Sequence, residues 1–109
     1  MASPVIPAGG VVRVSRAEFD PERLLEVQQM LRDTSTYLRP AIERLHGLLG
    51  YYAGASPSGS IVAVSMWDSE AHASQMGSLQ AMTVDARRDA EAVGVSVPTI
   101  VNHSIAWQI

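Results

Sequence analysis

Between Ser60 and Trp67 the side chains alternate by size. Val62, Val64 and Met66 fall on one parity, and Ile61, Ala63, Ser65 and Trp67 on the other. A period of two with two different faces is the pattern of a β-strand. The preceding stretch Leu48 to Ala55 is apolar and aromatic, and Ser56-Pro57-Ser58-Gly59 between the two supplies turn residues, so the pair reads as a hairpin. A hairpin alone is marginal in water, so the rest of the chain has to complete a sheet and cover it.

The flanking segments supply those parts. Val11 to Phe19 reads as a first strand, with Val12 and Val14 on one face and Arg13, Ser15 and Ala17 on the other. Asp20-Pro21 starts a helix, Asp20 capping its N–H groups and Pro21 suiting its first position. Leu24, Val27 and Leu31 follow at helical spacing, as do Leu38, Ile42 and Leu45, with Gly47 as a stop. The run Asp33-Thr34-Ser35-Thr36 and then Pro40 predict a break near residue 36. After the hairpin, Asp68 or Ser69 caps a short helix. Leu79, Met82, Ala86, Ala90 and Val93 then form a stripe on the next, which ends at Gly94. Pro98 opens a last strand, Thr99 to Ile109.

The order is that of a ferredoxin-like α+β domain: a four-stranded antiparallel sheet with its helices on one face. Residues 1–10, with two prolines and two glycines, are expected to form a flexible arm, and 11–109 a single domain. Composition narrows the function. A net charge of −3 offers no basic field for nucleic acid or anionic lipid. With no cysteine there is no disulfide framework, thiolate nucleophile or sulfur ligand. No apolar run reaches membrane-spanning length and no secretory pattern opens the chain, so a cytoplasmic location is expected. His46, His72 and His103 have no ligand spacing, and no metal is expected.

The two sheet faces differ in kind. Val12, Val14, Val62, Val64, Met66, Val101, His103, Ile105 and Trp107 make a large apolar face. The other carries small residues with one charge, Arg13. Two arrangements follow: the large face meets the helices and the small one water, giving a monomer, or the helices cover the small face and a second subunit the large one. A water-facing sheet surface normally carries many charges, which favours the second. Small residues under helices also leave volume for a ligand.

The segment Leu48-Leu49-Gly50-Tyr51-Tyr52-Ala53-Gly54, a polar turn, and Ile61 to Glu70 ending in Met66-Trp67-Asp68-Ser69-Glu70 resemble the antibiotic biosynthesis monooxygenase superfamily. Ile105-Ala106-Trp107-Gln108-Ile109 fits the last strand of that family. The resemblance implies a homodimer in which two sheets face each other as a dimeric α/β barrel, each subunit holding a pocket between sheet and helices. It implies cofactor-free oxidation of aromatic or quinone-type compounds, with Trp67 lining the pocket. Haem-degrading members carry an Asn in the first strand and a His after the tryptophan. Here the first strand lacks Asn, and Met76 and Gly77 stand where that His would be.

Trp67, Ser65, Ser15 and Tyr52 are therefore the expected ligand-binding residues, and Arg13, Asn102 and His72 the candidates for catalysis. Each has a plainer reading. Trp67 would close the core and the small polar groups would pack. Tyr51 and Tyr52 point to opposite faces, so at most one joins Trp67. His72 has no carboxylate expected beside it, His103 suits a dimer interface, and His46 would bond the last helix carbonyls. A non-catalytic dimer is the alternative function, with haem binding behind it.

Overall fold

In the computed structural model the chain is described over residues 5–109, so the outer part of the expected arm, residues 1–4, lies outside the described residues. Strand β1 (Val11–Glu18) is followed by a 3-10 turn (Pro21–Arg23) and helix α1 (Leu24–Glu43). The hairpin is β2 (Leu48–Ser56) and β3 (Ser60–Trp67). A short helix α2 (Glu70–Ala73), a 3-10 turn (Ser74–Ser78), a π-helical turn (Ala81–Ala86) and helix α3 (Arg87–Ala92) lead to β4 (Thr99–Ser104). The strands lie in the order β2-β3-β1-β4, and every neighbouring pair is antiparallel. This is the expected α+β architecture.

The local signals act as expected at most element ends. Asp20 Oδ1 accepts from the Glu22 N–H at 3.0 Å, with Pro21 behind it. Ser69 Oγ accepts from the His72 N–H at 3.1 Å and starts α2. Gly47, at φ +78°, turns the chain out of α1 into β2.

Three expectations need correction. Helix α1 does not break near residue 36. Its hydroxyl groups bond back inside the helix: Thr34 Oγ1 donates to the Leu31 carbonyl at 3.3 Å, Ser35 Oγ to Arg32 at 2.6 Å and Thr36 Oγ1 to Asp33 at 2.7 Å. Pro40 lies within the last turn on the exposed side, where water can serve the carbonyl that loses its donor. The helix before Gly94 is not uniformly α. The π turn at Ala81–Ala86 widens it so that Leu79 and Met82 serve one part of the core while Ala90 and Val93 serve another. The last strand stops at Ser104 rather than running to Ile109. Ser104 pairs with Val11, the first residue of β1, and residues beyond it have no strand alongside. Trp107 is consequently 79% exposed. Gln108 instead holds the inner end of the N-terminal segment, its side chain bonding the Ile6 N–H at 2.9 Å and the Ile6 carbonyl at 2.7 Å.

The helices cover the small face. Val11, Ala17, Ser65 and Trp67 are buried beneath them, whereas Tyr52, Val62 and Val101 on the opposite face are exposed. The core has two parts. Val11, Ile42, Trp67, Ala73 and Met76 form one, and Ala17, Phe19, Val27, Met30 and Val95 the other. Between them the sheet carries one polar row and one row of mostly small residues.

Candidate ligand-binding site

Strand register sets out what separates the two apolar clusters. Arg13 pairs with Ser65 on one side and with Asn102 on the other, and Ser65 pairs with Tyr51. Directly paired residues share a sheet face, so Asn102, Arg13, Ser65 and Tyr51 form one row across all four strands on the helix-facing side. The next row, Ile100, Ser15, Ala63 and Ala53, contains three small residues. Ala53 is exposed although it lies on the helix-facing side, so the helices leave this stretch of β2 uncovered. Asn102 is exposed at the other edge, because every residue of β4 is exposed. Thr34 of α1 is buried.

Behind the row lies a buried, hydrogen-bonded pair. The Trp67 ring is fully buried, and its indole N–H donates to Ser65 Oγ at 2.8 Å. Trp67 therefore stands as a core residue behind the polar row, packed against Ile42, Ala73 and Met76, rather than as an open pocket wall. Arg13 and Tyr51 flank Ser65 in register and act on each other. Partial burial lowers the proton affinity of the Arg13 guanidinium, and the phenol of Tyr51 offsets this. Burial raises the Tyr51 phenol above its ordinary value, with Arg13 pulling the other way. Tyr51 therefore stays protonated at neutral pH, a hydrogen-bond donor across Ser65 from a cation.

Four expected site residues, Arg13, Ser15, Ser65 and Asn102, share this face with Trp67. Tyr52 does not. It lies on the outer face, paired with Val64 and 62% exposed. The reason is a bulge at the start of β2: Leu48 pairs with Trp67 but Gly50 with Met66, so Leu49 is the extra residue. The bulge reverses the alternation and turns Tyr51 inward with Leu48. Nothing in the residue types marks such a bulge except Gly50, where a Cβ would strike the Met66 methyl. His72 is outside the row, past the end of β3. A carboxylate does stand beside it: His72 Nδ1 lies 2.6 Å from Asp68 Oδ1. The i,i+4 spacing of Asp68 and His72 was the available signal for that pair. His103 lies on the outer face opposite Val12. His46 lies beside the His72 ring rather than on the helix carbonyls, with ring centres 6.2 Å apart.

Two concavities lie away from Trp67. One, of about 380 Å³, is lined by Arg16, Ser60, Ser96 and Thr99 at the end of the sheet. The other, of about 650 Å³, lies between α1 and α3, lined by Leu25, Met30, Asp33, Asp89 and Val93. Among the described residues no three His, Cys, Asp or Glu groups are placed to hold a metal ion, and no helix is long and apolar enough to cross a membrane.

No family model and no curated protein matches the sequence significantly. Solved structures do. A protein from Deinococcus radiodurans described as an antibiotic biosynthesis monooxygenase superposes with a TM-score of 0.68 at 18% identity, over 91% of this chain and 95% of its own. The chain has the fold of the antibiotic biosynthesis monooxygenases. SnoaB, a cofactor-independent oxygenase from Streptomyces nogalater, shares that monooxygenase fold at a TM-score of 0.65 and 12% identity, over 94% of this chain and 98% of its own. So does a monooxygenase from the gene ActVA-Orf6 of Streptomyces coelicolor, in complex with nanaomycin D. Its TM-score is 0.65 and its identity 20%, over 92% of this chain and 90% of its own. At these identities the likeness establishes the fold, while chemistry has to be argued from side chains.

Proposed function

We propose that the protein binds a planar aromatic or quinone-type compound against the Asn102–Arg13–Ser65–Tyr51 row and oxidises it with dioxygen without a cofactor. The observation that carries this reading is the row itself, a cation and a half-buried phenol on either side of Ser65. The solved structures support it, since they include a cofactor-independent oxygenase and a monooxygenase with a bound ligand.

The chemistry follows from what such a row can do. A hydroxyanthrone-type substrate loses a ring methylene proton and becomes a delocalised anion. That carbanion reacts with dioxygen, the methylene becomes a carbonyl, and the second oxygen atom leaves as water. The helix-facing rows of the sheet carry no histidine or carboxylate. We propose that the acidity of the substrate and solvent supply the proton transfer. The protein contributes orientation and anion stabilisation, from Arg13 as cation and from Tyr51 and Asn102 as donors. The flat rings would lie beside the row, over the small side chains of Ser15, Ala63 and Ala53.

Incubation of the purified protein with hydroxyanthrone-type substrates and oxygen, without added cofactor, is expected to give oxygen uptake and quinone absorbance. R13A should lower kcat/KM by on the order of 100-fold, the scale for loss of one preorganised charge stabiliser. Absence of turnover across a panel of such substrates removes the oxygenase reading.

The complete burial of Trp67, which fills the space behind the row with core side chains, favours a second reading, a non-catalytic binding or structural dimer. Ligand-dependent quenching of indole fluorescence with no oxygen uptake would establish it. Haem has the least support, because Met76 is a buried core residue packed with Trp67. In either reading we propose a homodimer through the face of Val12, Val14, Val62, Val64 and Met66.

A further inference from the structure

Fold packing creates a second polar constellation at the far end of β3. His46 follows α1 on an exposed turn, and His72 lies in α2. The two segments are bound to each other. The Asp68 N–H donates to the Gly47 carbonyl at 2.9 Å. Gln75 accepts from the His46 N–H at 3.1 Å, and its Nε2 donates to the carbonyls of His46 at 2.7 Å and His72 at 2.6 Å. One glutamine side chain thus fixes the backbones of both histidines. Gly47 is needed for so close an approach, since a Cβ there would collide with Asp68 Oδ1 and His72 Nδ1.

The Asp68 pair determines what His72 presents. A carboxylate can only accept, so Nδ1 carries a proton, and in the neutral ring the Nε2 lone pair is directed away from Asp68. A carboxylate that orients an imidazole from behind is the outer-shell arrangement of metal-ligating histidines. The second imidazole is in reach. With metal–nitrogen bonds of about 2.1 Å, two imidazoles on one tetrahedral ion have ring centres about 5 Å apart. The His46 and His72 centres are 6.2 Å apart and tilted by 39°. Closing the difference calls for rotation of the His46 side chain, which is exposed.

We propose that His46 and His72 form a surface site for a divalent transition-metal ion of the zinc, copper or nickel class. Asp68 is the positioning residue behind His72. Imidazole ligands suit these ions rather than magnesium or calcium. Two protein ligands leave the remaining positions to water, so the site is exchangeable rather than a closed structural centre. Its ion would clamp the end of α1 to the start of α2, immediately after Trp67. This site is independent of the aromatic-binding row.

Calorimetric titration of zinc chloride into the full chain without an affinity tag tests this. One ion per chain is expected. H46A and H72A should each weaken binding on the order of tenfold or more, D68N should weaken it less, and H103A should leave it unchanged. Zinc should raise the Tm of the wild type and not that of H46A. His46 projects from an exposed turn, so H46A retains the fold and decides the matter if H72A does not. No saturable binding, equal binding in H46A and wild type, or loss in H103A would overturn the site.

Discussion

Ser65 and Trp67 show how one buried hydrogen bond can do two tasks. The bond at 2.8 Å satisfies the only polar atom of a fully buried indole, and it places Ser65 in the polar row beside Arg13. Replacing Ser65 with Ala strands the indole N–H in the core. The loss expected is about 1–3 kcal/mol, read as a lower urea midpoint followed by tryptophan fluorescence. An unchanged midpoint would mean that the indole finds another acceptor. Gly47 is the other demanding residue. G47A pays for a left-handed backbone, roughly 1–2 kcal/mol, and also pushes Asp68 and His72 aside. It should therefore lower both the Tm and the affinity for zinc, whereas a purely conformational effect would lower the Tm alone.

At the level of elements, α1 and α3 are joined by one polar tie across their packed faces. Tyr37 Oη donates to Asp89 Oδ2 at 2.7 Å. Burial, the hydrogen bond and the charge of Asp89 all raise the Tyr37 phenol above its ordinary value. The unfolded phenol ionises near pH 10, so the stability that this group contributes is fully present below about pH 10. It is lost as pH rises from there toward the higher folded value, because the unfolded chain gives up its proton first. Alkaline denaturation curves should show this fall in the wild type, and Y37F should flatten it. At neutral pH Y37F should cost about 1 kcal/mol by thermal melting. A melting curve for Y37F that falls above pH 10 as steeply as the wild type would assign the effect elsewhere, with Tyr51 the next candidate.

For the whole molecule, the unresolved balance is the outer sheet face. Tyr52, Val62 and Val101 are exposed there among half-buried valines and Met66, and β4 is exposed along its whole length. A contiguous apolar surface of this kind marks an interaction site. A second copy of the same face is the simplest self-complementary cover, since a two-fold axis pairs a patch with itself. Sedimentation should give twice the chain mass for the wild type, and V64K, which puts a charge at the centre of the face, should give the monomer. A monomeric wild type at micromolar concentration would leave the apolar face to a different partner.

Much of the architecture was legible in the sequence because it rests on local rules. Alternation in β1 and β3 separated the two faces, the scarcity of charge on the small one favoured its lying under the helices, and Asp20, Ser69 and Gly47 marked real element ends. Arg13, Ser15, Ser65 and Asn102 were assigned to one face by parity alone, which holds wherever a strand runs without a bulge. Tertiary structure decided the rest. The bulge at Leu49 exchanged Tyr52 for Tyr51, since one extra residue inverts every later side chain. Pairing ended β4 at Ser104 because its partner strand starts at Val11, a limit set by a distant part of the chain. Complete burial placed Trp67 behind the polar row rather than at its mouth. The joining of His46 to Asp68 and His72 came from packing as well, since no spacing rule links a turn after α1 to a helix beyond the hairpin.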